Sequence, residues 1–376
     1  MPTAHGAQRE RGLDYRSALV NREGIGRTTR ELARALSGYG LEDDLRLYAW
    51  TLQRAVMPRA ELGLQEDVHL SRVRFPSRWI EPLCRWTRRG VDDYLGGVDV
   101  FHHSQPVRLP VRQAAETCMV YDCIWARDTG SVSRAAADAM EQAIRHQIAH
   151  ARLVFAPTKT AARDIESVLG VEAARIRITP LGCDHVLRHL PHELRAASTP
   201  YILIVSRVDG RKNHATLLRA FEQLVADGLP QRLIIAGPDG HGAEHFAAQL
   251  DRSPARERVL RLRDVPDADL PALYAGAAAF AFPSLDEGFG LPPLEAMACG
   301  APVVASDIAC LRETLGPAAV LVPALDADGL ADALRQILLH PEYADELRAL
   351  GRARARGYTW RMCAADMLSA WRELSP

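Results

Sequence analysis

From Pro200 onward the chain alternates between short apolar runs and amphipathic helical stretches, and that rhythm restricts its fold more than any other feature. The runs Tyr201 to Ser206, Arg232 to Gly237, Val259 to Leu262, Ala278 to Phe282, Val303 to Ala305 and Ala319 to Val322 all have strand length. A helical period fills about His214 to Asp227, and most other gaps are helical too. Strands separated by helices pair in parallel, because a parallel neighbour needs a long crossover; the expected unit is a doubly wound α/β sheet. The first half repeats the rhythm more loosely. Its candidate strands are Leu13 to Tyr15, Leu45 to Trp50, Val98 to His102, Thr117 to Tyr121, Leu153 to Ala156 and Ile176 to Thr179. Helical patterns cover Arg27 to Leu36, Ala135 to His150 and Thr160 to Leu169. Between the halves, Leu190 to Pro200 has linker composition. The expected organisation is therefore one α/β domain over residues 1–190, a second over 191–355, and a terminal helix within 356–376 that crosses back onto the first.

Within the second half, Glu287-Gly288-Phe289-Gly290-Leu291-Pro292-Pro293-Leu294-Glu295 places two carboxylates around a glycine loop that breaks into a helix. The strand Ala278 to Phe282 precedes it, so Glu287 falls just past a strand's carboxyl end, where ligands bind in open α/β sheets. Pro292 and Pro293 suit a first helical turn, and Gly300 suits a C-cap. Backbone N–H groups at such a helix start attract anionic oxygens, and Gly288 and Gly290 let a ligand lie against the main chain. Carboxylates repel a phosphate, so Glu287 and Glu295 are better suited to hydroxyl groups on either side of it. A molecule with hydroxyls on both sides of a phosphate bridge is a sugar nucleotide. A structural reading stands beside this one: the macrodipole favours Glu295 in a first turn whatever its function, and Glu287 fits a solvated turn.

A second loop, Ser206-Arg207-Val208-Asp209-Gly210-Arg211-Lys212-Asn213, lies on the same strand edge about eighty residues earlier. Arg207 and Lys212 there suit a diphosphate, both on binding and as it departs with added negative charge. Of 46 basic residues only Lys159 and Lys212 are lysine, and Lys159 reads as an exposed helix start. A lysine offers a compact point charge where arginine offers a planar fork. The competing reading is a solvated basic turn. In the first domain, Asn21 to Arg27 joins a strand to a helix, and Gly24 and Gly26 bring main-chain N–H groups toward phosphates from the opposite wall. An ordinary tight turn explains that pair equally well.

Net charge of −1 and balanced composition exclude a nucleic-acid binder that relies on a strong positive field. The charge is uneven: residues 1–190 carry 27 basic and 23 acidic groups, and residues 191–376 carry 19 and 24. The first half is the better partner for an anionic surface. Seven cysteines without a Cys-x-x-Cys give neither a disulfide framework nor a zinc site, and reduced thiols are expected. No stretch has the apolar length of a membrane span, and the start lacks a signal peptide's apolar segment, so the expected location is the cytoplasm.

Together, Gly24-Ile25-Gly26-Arg27, Pro180 to Asp184, Ser206 to Asn213 and Glu287 to Val304 resemble the retaining GT-B glycosyltransferases of family GT4, over nearly the whole chain. The resemblance implies two Rossmann-like domains facing a central cleft. It implies that Glu287 holds hydroxyls of the donor sugar, with Gly288, Phe289, Gly290 and Leu291 around it, and that Glu295 holds the nucleotide ribose. Arg207 and Lys212 would bind the diphosphate, with Gly24 and Gly26 approaching from the other domain, and no metal or other cofactor is implied. The Arg-Lys-Asn form resembles bacterial mannosyltransferase-like members that build surface polysaccharides. GDP-mannose is thus the first donor expected, with a UDP-sugar as the alternative, and the acceptor is a glycan or lipid-linked glycan. A phosphorylase-like or donor-hydrolysing activity is the enzymatic rival, and a non-catalytic sugar-nucleotide-binding scaffold the rival of another class. Where many relatives have His-Asp this chain has Tyr121-Asp122; the tyrosine still donates a hydrogen bond to a sugar hydroxyl, and the resemblance implies a donor-binding place for Asp122. His103, near the end of a neighbouring strand, is an acceptor-side candidate. The first strand, flanked by polar Gln8 to Arg11, is expected to be short and frayed.

Residues 71–90 hold Arg72, Arg74, Arg78, Arg85, Arg88 and Arg89 among Trp79, Ile80, Leu83 and Trp86, and these four apolar residues share a face at helical spacing. A basic amphipathic helix of this kind either packs into its own domain or rests peripherally on an anionic membrane face.

Overall fold

The computed structural model describes residues 9–22, 24–38, 43–53, 56–76, 79–127, 133–191 and 199–374. Most of the linker reading, residues 192–198, lies outside them, as does Arg78.

Two parallel sheets carry the fold. The first has seven strands in the order β3-β2-β1-β4-β5-β6-β7: β1 Arg9–Asp14, β2 Asp43–Trp50, β3 His69–Val73, β4 Val100–His103, β5 Ala115–Met119, β6 Leu153–Ala156 and β7 Ile176–Ile178. The second has six in the order β10-β9-β8-β11-β12-β13: β8 Tyr201–Val205, β9 Arg232–Ala236, β10 Val259–Leu262, β11 Ala279–Phe282, β12 Val303–Ser306 and β13 Ala319–Val322. Every pairing is parallel. In both sheets the order reverses once, between β1 and β4 and between β8 and β11, and a crevice opens at the carboxyl ends of such strand pairs.

Two strands depart from the sequence reading. β1 is not frayed: it is six residues long and pairs on both sides, with β2 and with β4. Its polar half is held by charge. Arg11, 2% exposed, lies 3.7 Å from Asp99, Glu10 N donates to Asp99 Oδ2 at 3.0 Å, and the Glu10 carboxylate pairs with Arg46 of β2. β3 was not anticipated, because an edge strand of exposed and half-buried residues lacks the apolar signal of a central one.

Helix starts follow their caps: the hydroxyls of Thr158 and Thr359 accept the amides of Ala161 at 2.9 Å and Met362 at 3.2 Å. The helix Trp360–Arg372 buries Trp360, Cys363, Met367, Leu368 and Trp371, packs against the first-domain helix Ile25–Ser37, and donates from Trp371 Nε1 to Thr117 Oγ1 of β5 at 3.2 Å. One apolar cluster runs from Leu13 and Phe155 of the first sheet through Leu181, Phe289 and Leu294 to Trp360 and Trp371, so the lobes share a core. All seven cysteines are unpaired and buried. Among the described residues no helix is long and apolar enough to cross a membrane, and no three His, Cys, Asp or Glu side chains are grouped to hold a metal ion.

Candidate active site

β8 and β11 flank the second sheet's reversal, and the chain leaving each of them forms one of the two loops singled out above. The loops meet. Lys212 Nζ donates to Glu287 Oε1, Arg211 Nη1 stands 3.0 Å from the same oxygen, and Ser284 Oγ donates to it at 2.6 Å. The first loop is preset for this: Asp209 accepts the Lys212 amide at 3.2 Å, and Asn213 turns left-handed at φ 55°. Asparagine tolerates that conformation, and its side-chain amide donates to Pro283 O at 3.0 Å and Ala324 O at 2.7 Å, which staples the turn to the end of β11. Burial alone would raise the Glu287 carboxyl, but the Lys212 and Arg211 charges outweigh it and hold it at about 2. Arg207 leaves the same edge with its side chain exposed, along Gly240, where a Cβ would stand 2.7 Å from Arg207 Cδ.

Glu295 lies on the helix Leu291–Ala298, whose N-cap Gly290 is left-handed at φ 84°. Its carboxylate is fully buried. Tyr274 Oη donates to Oε2 at 2.6 Å, Arg27 Nη1 donates to Oε1 at 3.3 Å, and His185 Nε2 stands 3.0 Å from Oε1. Burial is again outweighed, here chiefly by Arg27, and the carboxyl sits at about 2. Arg27 and His185 both precede the linker, so this cluster ties the two lobes together.

Gly24, at φ 51°, caps the helix Ile25–Ser37, and Gly26 lies against Asn21, whose carbonyl oxygen would be 2.0 Å from a Cβ. They put Arg27 at the cleft. Tyr121 and Asp122 follow β5 and meet the glycine loop: a Cβ on Gly288 would fall 2.2 Å from Tyr121 O, and Thr158 Oγ1 donates to Gly288 O at 3.0 Å. Burial pushes the Tyr121 phenol far up, so it stays a donor, directed at Ser104 O at 3.3 Å. Asp122 is also raised by burial, while one of its oxygens accepts the Ile124 amide at 3.1 Å. The Phe289 ring turns into the core against Tyr358, leaving the backbone of its loop as the part nearest Glu287.

His103 is placed differently from the expectation. It is fully buried at the end of β4, 3.0 Å from Glu116, which Arg108 grips with bonds of 2.8 and 2.6 Å. It belongs to a hydrogen-bonded cluster with Glu116 and Arg108 inside the first lobe. The helix Ile80–Thr87 also corrects its reading: Ile80 and Cys84 face the core, while Trp79 and Trp86 are 52% and 82% exposed. The four apolar residues therefore do not share one face.

Sequence reasoning missed Arg211, Ser284, His185, Tyr274 and Arg27. Arg211 had a local signal in Arg-Lys-Asn, and Arg27 one in its place after Gly-Ile-Gly. His185 and Tyr274 had none, since only the fold brings them to Glu295.

Several known proteins are similar to this chain in sequence or in fold. The sequence model of the family described as glycosyl transferases group 1 matches residues 190–354. The O-antigen chain mannosyltransferase B of Escherichia coli is 31% identical over 244 residues, which is 62% of this chain and 64% of that protein. The D-inositol 3-phosphate glycosyltransferase of Kribbella flavida is 30% identical over 237 residues, 58% of this chain and 56% of that protein. The chain thus spans less than two thirds of each relative's length. Among solved structures, the sucrose-phosphate synthase of Thermosynechococcus elongatus superposes with a TM-score of 0.75 at 21% identity, covering 97% of this chain and 99% of that one. WaaG, a glycosyltransferase involved in lipopolysaccharide biosynthesis, gives 0.69 at 16% identity over 97% and 99%. These likenesses carry the fold, two facing Rossmann-like sheets of GT-B type.

Proposed function

We propose, from the match of residues 190–354 to the family described as glycosyl transferases group 1 and from the GT-B fold, that the protein is a retaining glycosyltransferase that moves a hexose from a nucleotide sugar to a glycan or lipid-linked glycan. The observation that carries this reading is the meeting of Lys212 and Glu287 at the second sheet's reversal. There an anionic carboxylate and two cations lie where a sugar joins its diphosphate. Glu287 accepts hydrogen bonds from sugar hydroxyls, with Gly288 to Leu291 along it. Lys212, Arg207 and Arg211 neutralise the diphosphate as the glycosidic C–O bond breaks, and the departing phosphate oxygen takes the acceptor hydroxyl's proton on the same face. Tyr121 donates to a sugar hydroxyl, and Asp122 holds the Tyr121 turn against Gly288. GDP-mannose is the first donor to test, supported by the mannosyltransferase relative, and UDP-sugars the second.

Thermal-shift titration with GDP, UDP and their sugar conjugates, followed by product analysis with and without acceptor, tests the reading. Stabilisation by one nucleotide and a product retaining the donor's anomeric configuration are expected. Hydrolysis alone, or binding without turnover, overturns transfer, and no stabilisation by any nucleotide overturns the donor site.

The same proposal places the first lobe on an anionic membrane face through Trp79 and Trp86, ringed by exposed Arg72, Arg74, Arg85, Arg88 and Arg89. Co-sedimentation with phosphatidylglycerol vesicles but not with phosphatidylcholine vesicles, weakened by Trp86→Ala, is expected. Equal recovery with both lipids removes this contact.

A further inference from the structure

The helix Ile25–Ser37 sends Arg27 across the cleft to Glu295, the group expected to hold the nucleotide ribose. In this conformation no ribose can reach Glu295. Its side chain is 0% exposed, one oxygen faces Arg27 and His185, and the other accepts from Tyr274. His185 is fixed in turn. Trp360 Nε1 donates to His185 Nδ1 at 3.1 Å, and an indole nitrogen only donates, so the imidazole proton sits on Nε2, toward Glu295. Asp184 accepts the Trp360 amide at 2.8 Å, which anchors this turn to the terminal helix. Tyr274 therefore holds the carboxylate by a hydrogen bond, and His185 stands beside it in a fixed frame. Arg27 is the partner with an alternative.

That alternative is Asp267. Arg27 Nη2 already donates to Asp267 Oδ1 at 2.6 Å, and Asp267 is 48% exposed at the rim of the cleft. Releasing Glu295 leaves the guanidinium paired and near water rather than orphaned, which avoids the heavy cost of stranding a buried charge. On the other side, a ribose hydroxyl replaces the one N–H donor that Arg27 withdraws, so Glu295 keeps its hydrogen bonds.

Resting on the donor-site reading above, the geometry points to Arg27 as an interdomain latch that competes with the nucleotide for Glu295: closed, it bolts the lobes together across the ribose site, and donor binding shifts it onto Asp267. Arg27 is a positioning residue here, setting when Glu295 is available. A latch shut in about nine molecules of ten weakens apparent nucleotide affinity about tenfold.

Calorimetric titration of wild type, Arg27→Gln and Asp267→Asn with GDP and UDP tests this in both directions. Arg27→Gln should bind the preferred nucleotide about tenfold more tightly, because the competitor is gone. Asp267→Asn, a surface change that removes the standby partner, should bind it more weakly, and it keeps the test open should Arg27→Gln fail to fold. Equal affinity in all three proteins, or weaker binding by Arg27→Gln, overturns the latch while leaving the donor site intact. No binding by any of the three overturns the donor site and the latch with it.

Discussion

Lys212 is one of two lysines in a chain of 44 arginines, and it brings a compact ammonium to Glu287 from a buried position that has little room for the bulkier guanidinium. Its ammonium points at Glu287 from beneath the Phe282 ring, 5.0 Å from the ring centre. Lys212→Arg should therefore lower transfer at least tenfold, and Lys212→Ala or Glu287→Ala should nearly abolish it, with folding checked by circular dichroism. Full turnover in either alanine variant removes that residue's role. The pair also has a pH signature. Because Glu287 is held at about 2, below its ordinary 4.5, the stability it contributes is complete above pH 4.5 and drains away as pH falls toward 2. Wild type and Lys212→Met should thus differ most in unfolding midpoint at neutral pH and converge in acid; a constant gap across that window would contradict the coupling. Glu287 and Lys212 were legible in the sequence because a glycine loop and a strand end announce themselves locally. His185 and Tyr274 were not, because each reaches Glu295 only through the tertiary fold.

Among the elements, the glycine loop and the turn after β5 form a tight crossing between lobes. A methyl group on Gly288 would meet the carbonyl oxygen of Tyr121 at 2.2 Å, and backbone on both sides leaves nothing flexible to yield. Gly288→Ala should destabilise the protein by about 1–3 kcal/mol, measurable by urea unfolding, and should lower transfer by forcing the two walls of the cleft apart. Strand positions followed from apolar runs wherever a strand is central to its sheet, as with β8, β11 and β12. The exceptions share one cause. β1 is central yet opens with Arg9-Glu10-Arg11, where ion pairs stand in for apolar contacts, and β3 is an edge strand with little to bury. Hydrophobic periodicity has no access to either device.

Across the molecule, the terminal helix is the longest-range tie. Trp371 is almost fully buried and donates to Thr117, while Trp360 at the helix's other end holds His185. Trp371→Ala should cost about 3–5 kcal/mol in a chemical unfolding titration. A loss under 1 kcal/mol would show that the helix docks loosely. Two α/β units were readable from the alternation of runs, and the reversal of strand order explains why loops eighty residues apart converge. The manner in which the lobes meet was not readable, because Arg27, His185 and Glu295 lie far apart in sequence and carry no shared pattern. Finally, the seven cysteines are sealed inside both lobes, and burial pushes the thiols of Cys118, Cys123 and Cys299 up to about 12. Alkylating reagents should find the native protein mute and the unfolded chain fully reactive. The rate of iodoacetamide uptake then clocks opening, lobe by lobe, without any engineered label.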